Sequence, residues 1–364
     1  MKPDTTDVFP IEGESTFRIP SLVVGITGTI LAFADHRKRS RADLGHDTDT
    51  VVRRSTDGGR TWEPVQTLIS FAGSNVHGGP ALVDRESGRI IKTGRRLPAL
   101  FDHPGKLEEA LWTDPEKWIE WGCGDYMVVS DNDGVTWSEP ERFEHQCPGE
   151  CVGLPGVGNG IHGIQLPDGR LVMQGKCMTG KRWERCSNNP TMSYLMVSSD
   201  GGGAWTLGPQ WAAGYAHQEF PIEALSDGRV YVNQRSLGPK RRELRVDIDD
   251  KRSDPELKDN ELPEPICHAS LLRVPERNML LFCNPDVENH ERGFSFDTRM
   301  RLSIHVSHDE GETWPRKFPV DKGKSAYSDL ALAGDGTVLC LYENGPERYN
   351  DRISLARIDP ELLS

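Results

Sequence analysis

A short motif recurs four times along the chain and constrains the fold more than any other feature. Ser55–Trp62 reads STDGGRTW, Ser130–Trp137 SDNDGVTW, Ser198–Trp205 SSDGGGAW and Ser307–Trp314 SHDEGETW. The shared pattern is Ser-x-Asp-x-Gly-x-x-Trp, with Asn132 replacing the acid in the second copy. The tryptophans stand at 62, 137, 205 and 314, so the intervals are 75, 68 and 109 residues. The first two agree. The third is long enough for two units, and a degenerate copy is expected near Leu244–Arg252, LRVDIDDKR.

The chemistry of each octet is that of a turn. Asp-Gly and Asp-Glu-Gly are hairpin signals. The carboxylate and the Ser or Thr hydroxyls can bond backbone groups within their own turn. The Trp ring is expected to pack beneath it and pin it to a neighbouring strand. A calcium loop needs several oxygen ligands at alternating positions, and these octets supply one carboxylate or two. They read as clasps, without chemistry of their own.

Short apolar runs lead into the octets: DTVVRRS, DYMVVS, YLMVSS and LSIHVS. Similar runs lie between them, such as GTILAFAD, GRLVMQGK, GRVYVNQRS, NMLLFCN and GTVLCLYEN. The 37 glycines and 25 prolines are spread along the chain, as many tight turns require. Strand, turn, strand, octet, strand, repeated about six times, predicts an all-β, six-bladed β-propeller filling residues 1–364 as one domain.

The net charge of -13 disfavours a general nucleic-acid or anionic-membrane partner. An anionic ligand would need positive charge concentrated locally. No run approaches the roughly 18 apolar residues of a membrane span. The N-terminal MKPDTTDVFPIEGEST lacks a signal-peptide core, so the expected location is the cytoplasm, or outside it if a leader was trimmed. The eight cysteines are expected to be free, mostly buried thiols. Cys177, Cys186 and His162 fall short of the roughly four close ligands of a zinc site. No metal or cofactor is expected.

TFRIPS at Thr16–Ser21, followed by octets of this kind, resembles the exo-alpha-sialidases of glycoside hydrolase family 33. The resemblance runs from Phe17 to Ile358 and is strongest to bacterial sialidases and the lysosomal type of animal sialidase. It implies hydrolysis of terminal α-ketosidically linked sialic acid on sialylated glycans, with retention. Sialic acid carries a carboxylate on its anomeric carbon, which arginine suits by planar, bidentate geometry. The family's three arginines correspond to Arg18 in FRIP, Arg235 in YVNQRS and Arg299 in TRMRLSIHVS, with Arg301 as competitor for the third. Arg37 matches an arginine near the pocket. Glu343 in LCLYENG matches a glutamate that holds the first arginine.

The same carboxylate would repel an anionic nucleophile. A neutral tyrosine avoids that, and sialidases depart from the two-carboxylate scheme in this way. Tyr327 in SAYSDL matches the family tyrosine. A phenol, with a pKa near 10, needs a base. Glu219, sixteen residues before Arg235, matches it, with Glu223 second. The acid matches Asp43, six residues after Arg37, with Asp47 as fallback and Asp35 and Asp49 nearby.

Three segments depart from the family pattern: Asn75–Ile90 with His77, Arg96–Gly122, and Cys147–Gly163 with His162. In the second, KLEEALW suggests a short helix, and Trp112, Trp118 and Trp121 either line a sugar pocket or pack the loop down. Such loops separate N-acetylated from deaminated sialic acid or another ulosonic acid. A trans-sialidase and a non-catalytic sialoglycan-binding propeller stand as alternatives.

Overall fold

The computed structural model describes residues 3–11, 13–39, 41, 46–99, 120–149, 152–158, 160–178, 191–214, 219–250, 255–287 and 298–364. Asp43, KLEEALW, Trp112, Trp118, Cys151 and Cys186 lie outside them.

The described residues form an all-β propeller built from antiparallel sheets. One sheet orders Ser270–Val274, Met279–Pro285, Leu302–Ser307 and Arg316–Pro319. Ile222–Ala224, Val230–Gln234, Lys240–Val246 and Lys258–Pro263 form another. Val152–Val157, Leu171–Met178, Thr191–Ser198 and Thr206–Gly214 form a third, with Ile164–Gln165 at its side. The largest sheet runs from Thr16–Val24 through Ile30–Arg37, Thr48–Ser55, Ser74–Val83, Ile90–Pro98 and Gly124–Ser130 to Glu141–Arg142, and Gln66–Ile69 pairs with Thr48–Ser55. Its two halves meet through one parallel pairing, Thr48 with Asn75.

The last sheet mixes the two ends of the chain. Asp4–Phe9 lies outermost, beside Arg352–Ile358, Val338–Gly345 and Lys324–Leu332. Thr5 faces Ala356 across the ladder, so the N-terminal strand completes the C-terminal sheet. Closure by backbone pairing leaves fewer open strand edges.

Apolar residues lie between consecutive sheets. Leu281, Ile304 and Val306 pack on Leu330, Cys340 and Ala356. Leu22, Ala32 and Val51 pack on Leu341 and Leu355. Strands near the ring centre are buried on both faces, as in Thr16–Val24. Farther out, Lys240–Val246 mixes half-buried and buried positions.

The octets repeat one hydrogen-bond pattern. Ser55 Oγ accepts from the Gly59 N–H at 2.9 Å and donates to Asp57 Oδ1 at 2.8 Å, while Asp57 Oδ1 accepts from the Thr61 N–H at 2.9 Å. The same bonds join Ser130, Asn132, Gly134 and Thr136. They recur at Ser198, Asp200, Gly202 and Ala204, and at Ser307, Asp309, Gly311 and Thr313. The octet glycine has positive φ and rests against the preceding sheet or, for Gly134, against the first half of the largest one. A Cβ on Gly134 would stand 2.3 Å from Leu31 Cδ2, and one on Gly202 2.3 Å from Ile91 Cδ1. Trp137 meets Phe33 of that first half edge-on at 5.9 Å. The clasp therefore also locks sheet to sheet. At the position of the degenerate copy, Asp247 Oδ1 accepts from the Asp249 N–H at 3.0 Å, a simpler turn.

Cys123, Cys147, Cys267, Cys283 and Cys340 are free thiols, as expected. Cys177 departs from the expectation, because it is disulfide-bonded. Among the described residues, no three or more His, Cys, Asp or Glu side chains are grouped to hold a metal ion. No described helix is long and apolar enough to cross a membrane.

Candidate active site

Strand direction decides where the charged residues gather. Inner strands begin at one rim of the ring and second strands end there: Thr16 faces Arg37, and Lys324 faces Gly345. Third strands leave that rim, so the octets that follow them sit at the other one. Val24, Ile30 and Ser55 share that far register.

Six of the residues expected from the sequence meet at the first rim. Tyr327 Oη donates to Glu219 Oε1 at 2.6 Å. Arg235 Nη1 donates to Glu219 Oε2 and, at 3.2 Å, to Tyr327 Oη. Arg18 forks onto Glu343 through Nε at 2.6 Å and Nη2 at 3.2 Å. Arg299 Nη2 donates to the Ile266 carbonyl. The Cζ atoms of Arg18 and Arg299 lie 5.5 and 5.3 Å from the Tyr327 ring centroid. Exposure of the six runs from 0 to 7%, so these charges are held by each other more than by water.

The backbone bends to allow this. Ile19 has φ 57° and Ile266 φ 53°, left-handed values that are rare for β-branched residues. Both sit beside the arginines. The Ile19 N–H donates to Glu343 Oε1 at 2.9 Å, next to a register slip between Arg18 and Ser21. Ile266 offers the carbonyl that Arg299 takes. Strain of this kind is held by surrounding contacts and clusters at functional sites.

Burial pushes the Tyr327 phenol well above its ordinary pKa, and the Glu219 carboxylate adds to the rise, while Arg235 and Arg299 oppose it. A free phenolate is therefore disfavoured in this site. Burial opposes the charge of Arg235, but Glu219 and Tyr327 more than restore it, and its pKa rises.

Arg37 is buried at the same rim, with Nη1 donating to the Arg41 carbonyl at 2.7 Å. Asp43 lies outside the described residues. Of its alternatives, Asp35 is wholly buried and accepts from the Gly78 N–H at 2.7 Å. Asp49 pairs with Lys38 at 2.9 Å, and the Asp47 carbonyl accepts from the Lys38 N–H at 3.3 Å. Arg301, the competitor of Arg299, is exposed and donates to the Asp286 carbonyl at 3.1 Å.

Glu223 is away from Tyr327. It lines a cavity of about 700 Å³ at the octet rim, with His162 and Leu330. Its carboxylate accepts from the N–H groups of Ala224 and Arg273 at 2.8 and 2.9 Å. His162 is in that cavity as well, and its Nδ1 meets Asp329 Oδ1 at 2.7 Å. Asp329 also accepts from Leu22 N and Ser270 Oγ, so this group stitches strands together.

Two supporting residues escaped the sequence reading. Arg241 and Glu264 form a wholly buried pair at 3.0 Å. Glu264 also accepts from the N–H groups of Ser236 and Cys267 at 2.9 and 3.2 Å. These follow Arg235 and Ile266, so one carboxylate fixes the backbone behind two site contacts. An arginine and a glutamate with no motif around them give no sequence signal, because such residues are usually solvated. Lys176 was also missed. Burial and Arg95 push its ammonium down to about 8, against the opposing charges of Glu219 and Asp125.

The fold is a β-propeller of the kind found in solved sialidases. A family profile described as "BNR repeat-like domain" matches residues 48–340, and the chain belongs to that family. It is similar to a sialidase of Micromonospora viridifaciens, 30% identical over 354 residues, covering 92% of this chain and 50% of that protein. It is 28% identical over 358 residues to a sialidase of Bacteroides fragilis, covering 92% of this chain and 61% of that one. Among solved structures, Hadza microbial sialidase Hz136 superposes with a TM-score of 0.78 at 26% identity, over 95% of this chain and 66% of that one. The resemblance to exo-sialidases of glycoside hydrolase family 33 thus extends over most of the chain. The chain spans about half to three-fifths of the length of these two curated relatives.

Proposed function

We propose that this chain is a retaining exo-sialidase that cleaves terminal α-ketosidically linked sialic acid from glycans. The observation that carries the reading is the contact of Tyr327 with both Glu219 and Arg235, with Arg18 and Arg299 flanking the ring. We count the largest sheet as two blades joined at Thr48 and Asn75, which makes a six-bladed ring with the four other sheets, and we take the octets as its Asp-box turns.

In the proposed course, Arg18, Arg235 and Arg299 hold the substrate carboxylate, while Glu343 holds Arg18. Arg37 contributes to the pocket. Tyr327 Oη attacks the anomeric carbon and its proton passes to Glu219. Asp43 protonates the departing glycosidic oxygen as the old carbon–oxygen bond breaks. The raised Tyr327 pKa makes concerted removal of the proton necessary, since little phenolate stands ready at neutral pH. Water then attacks the glycosyl–tyrosine bond. Asp43 takes a proton from that water, and Glu219 returns one to the departing Tyr327 oxygen. Two displacements give retention.

The test is release of 4-methylumbelliferone from its α-ketosides of N-acetylneuraminic acid and of the deaminated sugar, wild type beside Tyr327→Phe. Turnover of the first, lost in the variant, is expected. Turnover of the deaminated sugar alone would move the substrate class and keep the chemistry. Full activity in Tyr327→Phe would remove the nucleophile. Binding of sialoglycans without release would leave a lectin-like propeller.

A further inference from the structure

Tyr349 lies in the turn between the strands Val338–Gly345 and Arg352–Ile358. Its half-buried ring packs against Ile19, Cys267, Ala326 and Tyr327. The Cζ atom of Arg18 is 5.7 Å from its ring centroid and 5.5 Å from that of Tyr327. Arg299 Cζ is 5.3 Å from each. Two guanidinium groups far apart in sequence therefore each lie close to the same two tyrosine rings.

The turn that carries Tyr349 is built to hold it. Asp351, 6% exposed, accepts from the N–H groups of Glu347 and Arg348 at 3.1 and 2.8 Å. Its other oxygen takes Arg41 Nη1 at 3.0 Å. The Asn350 carbonyl accepts from Thr16 Oγ1 at 3.1 Å, two residues before Arg18. The turn is thus tied to the strand of Arg18 on one side and to Arg41 on the other.

Two like charges aimed at one point repel. Glu343 answers that for Arg18 with a bidentate fork. Arg299 donates to the Ile266 carbonyl. An aromatic face presents partial negative charge to a cation and attracts it without offering an oxygen that would compete with a bound carboxylate. A second carboxylate in the place of Tyr349 would quench the pocket it supports.

We propose that Tyr349 is a positioning residue that completes the carboxylate pocket, its ring holding Arg18 and Arg299 toward the ligand together with the ring of Tyr327. The inference rests on the sialic-acid reading of the site. The ring face does the holding, so phenylalanine should serve and an aliphatic side chain should not.

The experiment is calorimetric titration of 2-deoxy-2,3-dehydro-N-acetylneuraminic acid into wild type, Tyr349→Phe and Tyr349→Leu, with kcat and KM measured on the same preparations. The Leu variant is expected to raise Kd and KM about tenfold, the scale of a desolvated cation–π contact, while kcat changes little. The Phe variant is expected to bind like wild type. Wild-type affinity in Tyr349→Leu overturns the proposal, as does a Phe variant as weak as Leu. If Tyr349→Leu fails to fold, Tyr349→Met removes the ring while keeping an apolar filling, and the same outcomes apply. If wild type itself binds no sugar, the sialic-acid reading falls first; binding by wild type with no effect of ring loss defeats this inference alone.

Discussion

Tyr327 and Glu219 are 108 residues apart in sequence and joined by a 2.6 Å hydrogen bond in the folded chain. Glu219 divides its two oxygens between Tyr327 and Arg235. In the proposed mechanism one carboxylate is therefore both proton acceptor and counter-ion. Glu219→Gln removes both roles and keeps the shape. It is expected to lower kcat by about 10²–10⁴, the range for loss of a general base. Steady-state kinetics with the methylumbelliferyl ketoside checks this, and unchanged turnover would take Glu219 out of the reaction.

Arg299 and Arg301 are two residues apart and placed oppositely. Arg299→Ala is expected to raise KM about 10²-fold, as removal of a buried charge partner does. Arg301→Ala is expected to stay within about twofold, as for an ordinary surface change. Paired kinetics of the two variants decides between them. A larger effect at Arg301 would reverse the assignment of the third arginine.

The octets predict a stability effect without a chemical one. Ser55 Oγ is the acceptor for the Gly59 N–H, and Ser55 is wholly buried. Ser55→Ala leaves that N–H unsatisfied and is expected to cost about 1–3 kcal/mol. Urea unfolding measures the loss. Substrate KM should hold, because the octets occupy the far rim. A shifted KM would mean that the clasp reaches the site.

Burial pushes His305 down to about 4, with Asp286 opposing and Lys317 adding to the fall. Between its ordinary pKa near 6.5 and about 4, the unfolded chain binds a proton at this residue that the folded one does not. Stability is therefore expected to fall as pH drops through that window, by about 3 kcal/mol at most, and to level off below it. Unfolding of wild type and His305→Gln at pH 7, 5.5 and 4 tests this. Equal slopes in the two proteins would show that other groups carry the pH dependence.

Much of the fold was legible in the sequence because its signals are local. A Ser hydroxyl, an Asp or Asn oxygen and a glycine within five residues build one turn by themselves, so Ser55–Gly59 and Ser307–Gly311 announce it wherever they stand. The flanking apolar runs then have only strand lengths to fill. The resemblance around FRIP, NQRS and SAYSDL extended this to the residues that meet at the rim.

Local chain chemistry set the kind of element and supplied the charged residues. Tertiary structure decided which of them share a space. Glu219 and Glu223 are four residues apart, the first favoured only by resemblance, yet one meets Tyr327 and the other lines the opposite mouth of the ring. Arg241, Glu264 and Tyr349 carry no motif and matter only because separate strands converge on them. The reason is physical. A turn is closed by bonds between near neighbours, whereas a pocket of buried charges is balanced across several sheets at once, and that balance exists only after the ring has closed.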